Sequence, residues 1–117
     1  MAILKAGLIQ MGLKGNTDMS PQQIRDKMVE AHLPLIDAAG KQGVQVLCFQ
    51  EVFTQPYFCP SQDKKWYRAV EKIPDGPTTQ LMREYAKKYS MVIVVPIFEE
   101  EMTGVYYNTA AVIDADG

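Results

Sequence analysis

The chain has little of what marks secreted, membrane-spanning or nucleic-acid-binding proteins. It holds two cysteines in 117 residues. Cys48 lies in an apolar run and Cys59 among loop residues, with neither CxxC spacing nor a disulfide framework, so a reducing, cytoplasmic compartment is expected. No apolar stretch approaches the roughly 18 residues of a membrane span. The longest, Met91 to Phe98, contains Pro96 and stops at Glu99-Glu100-Glu101. Met1-Ala2-Ile3-Leu4-Lys5 lacks a basic leader and a cleavable apolar core, and reads directly as a strand. A net charge of -2 without a basic patch gives no electrostatic reason to bind nucleic acid. Gly12-Leu13-Lys14-Gly15 matches neither GxGxxG nor a P-loop, which removes support for a dinucleotide or phosphate site. There are no internal repeats or low-complexity tracts.

What remains is ordinary globular composition, 47% hydrophobic and 22% charged, in the length of one small domain. Ile3 to Met11 reads as a strand interrupted by Gly7. Ser20-Pro21-Gln22-Gln23 opens a helix, with serine as cap, proline at the first helical position and glutamine three residues after the cap. Ile24, Met28, Ala31 and Leu35 are the expected buried stripe, running to about Gly40 or Gly43 with a kink or break at Pro34. Val44 to Phe49 reads as a second, parallel strand covered on both faces. Asp63 to Ala69 is expected as a short helix carrying Trp66 and Tyr67, and Pro77 to Tyr89 as a long one with Leu81, Met82, Tyr85, Ala86 and Tyr89 inward. Met91 to Val95 predicts a third strand, with a bulge or an edge at Pro96. A polar turn at Glu99 to Gly104 and a strand from Val105 to Ile113 complete a hairpin. Asp114-Ala115-Asp116-Gly117 is a turn sequence that asks for a further strand.

The second strand runs into Glu51, where the backbone leaves the sheet. Ligands of open α/β folds collect outside the carboxyl ends of strands. A carboxylate among apolar and aromatic groups is desolvated and pushed toward neutrality, where proton transfer is efficient. The alternative is a glutamate that caps a helix or pairs with a lysine. Phe53, Tyr57 and Trp66 either wall a pocket beside Glu51 or fill core beneath the loop. Asn108, unusual inside a strand, either holds the Glu51 loop by a hydrogen bond or is exposed on the hairpin. Cys48 reads as buried packing with little thiolate, and Cys59 as a plain loop residue. His32 reads as a surface or helix-contact residue, and Lys64, Lys65, Lys87 and Lys88 as solvated faces.

Five motifs occur in order: Phe49-Gln50-Glu51, Gln55-Pro56-Tyr57-Phe58, Gly76-Pro77-Thr78-Thr79, the strand Val92 to Glu99, and Tyr107-Asn108-Thr109-Ala110 ahead of Asp116-Gly117. Together they resemble the nitrilase superfamily of carbon-nitrogen hydrolases, in the branch of β-ureidopropionase and N-carbamoylputrescine amidase. The resemblance implies an α/β fold, the αββα sandwich of the nitrilase type, with residues 1–117 a partial domain. It implies a Glu-Lys-Cys triad in which Glu51 matches the general base, while the lysine and cysteine would follow Gly117. Phe53 and Tyr57 are the substrate-binding candidates and Asn108 the supporting one. The expected substrate is a small amide or carbamoyl compound. No metal or organic cofactor is expected, because the triad itself supplies base, nucleophile and electrostatic stabilisation. A homo-oligomer is implied for the full-length protein, and no turnover for residues 1–117 alone. A non-catalytic α/β binding module, or a nitrilase or aliphatic amidase of the same superfamily, is the competing reading.

Overall fold

Four strands, β1 (Ala6–Ile9), β2 (Val46–Phe49), β3 (Val92–Met102) and β4 (Val105–Ile113), form one sheet in that spatial order in the computed structural model, which describes residues 1–117. The first three run parallel, joined by α1 (Pro21–Lys41) and α2 (Pro77–Tyr89), and β4 returns antiparallel. Both helices lie on one face. Val29 and Ile36 of α1 and Met82 and Ala86 of α2 share a single buried cluster with Leu47, Phe49, Ile93, Val95, Ile97 and Ile113. No helix is long and apolar enough to cross a membrane.

The helix starts follow from their caps. Ser20 Oγ accepts from the Gln23 N–H at 3.2 Å and Gln23 Oε1 accepts from the Ser20 N–H at 3.0 Å, a reciprocal box with Pro21 at the first helical position. Such a cap stabilises by roughly 0.5–2 kcal/mol. α2 begins at Gly76-Pro77 without a side-chain cap of its own. Glu71, from the preceding loop, fills that role by accepting from the Thr78 N–H and from Arg25 Nε, each at 3.2 Å.

α1 continues through Pro34 to Lys41 as one helix, with no break. Its buried row is Ile24, Met28, His32 and Ile36, successive steps of four, with Val29 beside it. Leu35 lies one residue off that row and is 45% exposed, so the expected stripe holds only in its first half. Other boundaries moved for reasons of pairing. β1 is confined to the four residues that find partners in β2, leaving Ile3 and Leu4 exposed. β2 begins at Val46 because Gly43, at φ 76°, and the Val44 N–H bonded to Ala39 O still belong to the helix exit. The Asp63 to Ala69 segment is a 3₁₀ helix over Lys64–Ala69, capped by Asp63.

Glu99 and Glu100, expected in a turn, belong to β3, because their backbones pair with Tyr107 and Tyr106 on one side and with Glu71 on the other. The irregularity falls between Glu100 and Met102 and not at Pro96. Pro96 is tolerated because β2 pairing stops at Cys48↔Val94. Its carbonyl faces the β2 side, where it accepts from the Phe53 N–H at 3.1 Å, and its ring nitrogen faces the same way, so no ladder donor is lost.

Candidate active site

Glu51 follows the last residues of β2, and three features fix that turn. Gln50 Oε1 accepts from the Met11 N–H at 2.6 Å, tying the exits of β1 and β2 together. Val52 adopts φ 46°, a left-handed conformation that a β-branched residue rarely takes, while its side chain stays buried. Such strain costs about 1–3 kcal/mol and persists only where surroundings impose it. Here Val52 and Phe53 turn into the core, and the Phe53 N–H is stitched to Pro96 O. Glu51 is left projecting into solvent.

Beneath the turn, Phe53 is fully buried. It packs against Phe49 at 4.7 Å and edge-on against His32 at 4.8 Å between ring centroids, with His32 and Phe49 5.4 Å apart. Of its two sequence readings, Phe53 takes the core one. His32 is likewise fully buried, with Nδ1 2.7 Å from Met28 O and Nε2 without a partner. A carbonyl only accepts, so Nδ1 carries the proton. Burial lowers the His32 pKa, opposed in part by the bond to Met28, and the ring is neutral.

Asn108 comes from β4, opposite Phe98, and its Nδ2 donates to Glu51 Oε1 at 2.6 Å. Both side chains are exposed, on the sheet face away from the helices. Asn108 thus satisfies both of its sequence readings, since an exposed position does not preclude the bond. Tyr57 is 63% exposed. Its hydroxyl pKa is raised, mainly by Cys59 and to a lesser degree by the charge of Glu51. Cys59 is an exposed free thiol, and Cys48 is half-buried on the outer sheet face instead of enclosed.

An aromatic wall flanks this end of the sheet. Phe98, across from Asn108, contacts Phe58 at 5.0 Å, and Phe58 stacks on Trp66 at 5.4 Å. Phe58, Cys59, Gln62, Asp63, Trp66 and Tyr67 line an open cleft of about 380 Å³. Trp66 is therefore both buried and cleft-lining. The role of Gln50 was missed from sequence, although a polar residue ending an apolar strand was its signal. The strain at Val52 had no sequence signal. The apolar enclosure expected around Glu51 is not built by residues 1–117, because the outer face of the sheet is bare. Leu8, Cys48, Val94 and Val112 stand in register across all four strands there, with Leu8 85% and Val112 69% exposed. The site thus consists of an oriented carboxylate, a neutral donor on one of its oxygens, and an apolar floor open above.

Comparison with known proteins gives consistent results. A family model described as carbon-nitrogen hydrolase matches residues 5–117. A β-ureidopropionase of Arabidopsis thaliana is 39% identical over 121 residues, taking in 98% of this chain and 28% of that protein. An N-carbamoylputrescine amidase of Solanum lycopersicum is 37% identical over 83 residues, with 71% and 27% covered. A solved carbon-nitrogen hydrolase from Helicobacter pylori G27 superposes with a TM-score of 0.80 at 25% identity, over 97% of this chain and 36% of that one. The chain spans less than two fifths of the length of each.

Proposed function

The chain belongs to the carbon-nitrogen hydrolase family, and on that premise we propose that it forms part of an amidohydrolase acting on non-peptide C–N bonds, with Glu51 as general base. The preferred substrate is an N-carbamoyl amine or N-carbamoyl amino acid, by similarity to the β-ureidopropionase and the N-carbamoylputrescine amidases. The observation that carries the reading is the placement of Glu51: at the carboxyl end of an interior parallel strand, turned outward by a strained Val52 and held by Asn108. In the complete protein a cysteine thiol gives its proton to Glu51 and attacks the carbamoyl carbon. A lysine steadies the oxyanion, the C–N bond breaks as Glu51 returns that proton to the leaving nitrogen, and the ionised Glu51 then takes a proton from water, whose attack on the thioester releases the acyl group and restores the thiol. Residues 1–117 supply the base and part of the αββα sandwich, two helices packed on one face of a four-stranded sheet. The nucleophile, the oxyanion lysine and the second sheet are assigned to the remainder of the protein, which fits the 28% of the β-ureidopropionase that this chain spans.

The test is ammonia release by the full-length protein from 3-ureidopropionate and from N-carbamoylputrescine, with Glu51→Gln beside the wild type. Loss of a general base costs about 10²–10⁴-fold in rate. Gln is isosteric with Glu and can still accept from Asn108 through Oε1, so the melting temperature should stay put. Near-normal hydrolysis by Glu51→Gln would remove it from the mechanism. Residues 1–117 expressed alone should show no turnover.

A further inference from the structure

We infer that Asn108 is a positioning residue that determines which oxygen of Glu51 takes up the proton, an inference that rests on the reading of Glu51 as general base. The bond from Asn108 Nδ2 to Glu51 Oε1, at 2.6 Å, is the only hydrogen bond made by the Glu51 side chain, and Glu51 joins none of the ion pairs. A carboxylate only accepts, so the amide must present its nitrogen, and its orientation is fixed by chemistry. The two residues are 57 apart in sequence. Each is anchored independently, Glu51 by the buried Val52 and Phe53 that follow it and Asn108 by its pairing opposite Phe98.

Immobilising a solvent-exposed glutamate costs rotamer entropy. A charge-assisted N–H to carboxylate bond is stronger than a neutral one and offsets that cost. The donor is neutral, which matters. A lysine in its place would pair with the base and hold it ionised, and an acid would compete with it for a proton. An amide orients the carboxylate and does neither. With Oε1 occupied, Oε2 is the oxygen free to accept from a nucleophile approaching over the bare sheet face.

The experiment uses the full-length protein with 3-ureidopropionate as probe, comparing wild type, Asn108→Ala, Asn108→Asp and Glu51→Gln by kcat, KM, pH profile and melting temperature. Misplacing a catalytic group by about 1 Å costs on the order of 10²-fold. Asn108→Ala should therefore lose about that much in kcat, with KM little changed. Asn108→Asp is isosteric and carries the test even where the alanine variant folds poorly. At neutral pH the introduced carboxylate and Glu51 are both ionised and repel, which breaks the bond and raises the pH at which the pair takes up one proton. The variant's activity relative to wild type should recover as pH falls, once the pair holds one proton and the introduced carboxyl donates O–H where the amide donated N–H. A merely structural role would lower the melting temperature and give a deficit independent of pH. Wild-type kcat in Asn108→Ala, or a pH-independent deficit in Asn108→Asp, overturns the inference. If Glu51→Gln is inactive while Asn108→Ala is normal, only the positioning role fails; if Glu51→Gln is active, the general-base reading fails with it.

Discussion

The two faces of the sheet are built from the same strands with nearly the same residue types, yet only one is covered. Leu47, Ile93, Val95 and Ile97 point under the helices and are at most 1% exposed. One residue along, Cys48 and Val94 are half-exposed and Leu8 and Val112 largely so. A sheet meant to face water alternates apolar with polar residues, and this one does not. Its outer face is dressed for a second layer. Glu51 and Asn108 project on that bare side, so the proposed chemistry lies on the face left uncovered by residues 1–117. Stability and the proposed function thus divide between the faces: the inner one holds the strands, and the outer one presents Glu51, the proposed base.

The most severe way to probe this division is to cut back adjacent residues of β3. In the full-length protein, Ile93→Ala should cost about 2–5 kcal/mol in urea unfolding, as for truncation in a packed core. Val94→Ala tests the outer face. Covered by a second sheet, it should lose about 1–2 kcal/mol for its two methyl groups. A loss below about 0.5 kcal/mol would match an exposed surface site and would mean that the face stays open.

A smaller effect is expected at Gly40, inside the covered half. A Cβ built there would lie 2.2 Å from Tyr89 Cγ, and the ring has little room to yield because its hydroxyl donates to Asp37. Helix propensity alone predicts that Gly40→Ala stabilises by about 1 kcal/mol. Overpacking costs about 1–3 kcal/mol and should win. In a Tyr89→Ala background the same change should become neutral or stabilising by thermal melting. Simple additivity of the two losses would show that the α1–α2 contact is not what excludes a side chain at Gly40.

Elements were legible where a local rule decides them. The Ser20 box, Pro77, the β3–β4 hairpin and the carboxylate after β2 each carry their signal within a few residues. Boundaries set by distant pairing were not. Glu99 and Glu100 read as a polar turn because nothing nearby announces Glu71 as their partner, and Ile3 reads as strand although β2 is too short to reach it. Leu35 reads as buried because its hydrophobicity suits the core, whereas the fold puts His32 there. At the site, Glu51 is legible from its position at a strand end. Its partner Asn108 is visible as an oddity in a strand, but the bond depends on a register that brings residues 57 apart together.

His32 links the two faces and gives the smallest effect. It lies in the covered core, yet with Phe49 and Phe53 it forms the floor of the Glu51 turn. Its pKa in the folded chain is below the ordinary 6.5, burial being the main cause. Above pH 6.5 both folded and unfolded states hold it neutral and it adds no pH dependence. As pH falls below 6.5 the unfolded chain gains a proton that the folded one refuses, so stability declines until pH passes the folded value. The full-length protein should therefore lose stability on mild acidification through this residue, and His32→Leu should flatten that slope in melting curves taken downward from about pH 7. The loss should also be local before it is global. Protonating an imidazole whose Nε2 has no acceptor nearby loosens the aromatic floor first. Amide hydrogen exchange at Val52 and Phe53 should then accelerate at mildly acid pH before that of Ile93 and Val95. Simultaneous acceleration at all four would mean that the turn carrying Glu51 and the covered core open as one unit, and that the boundary between the two faces does not run beneath Glu51.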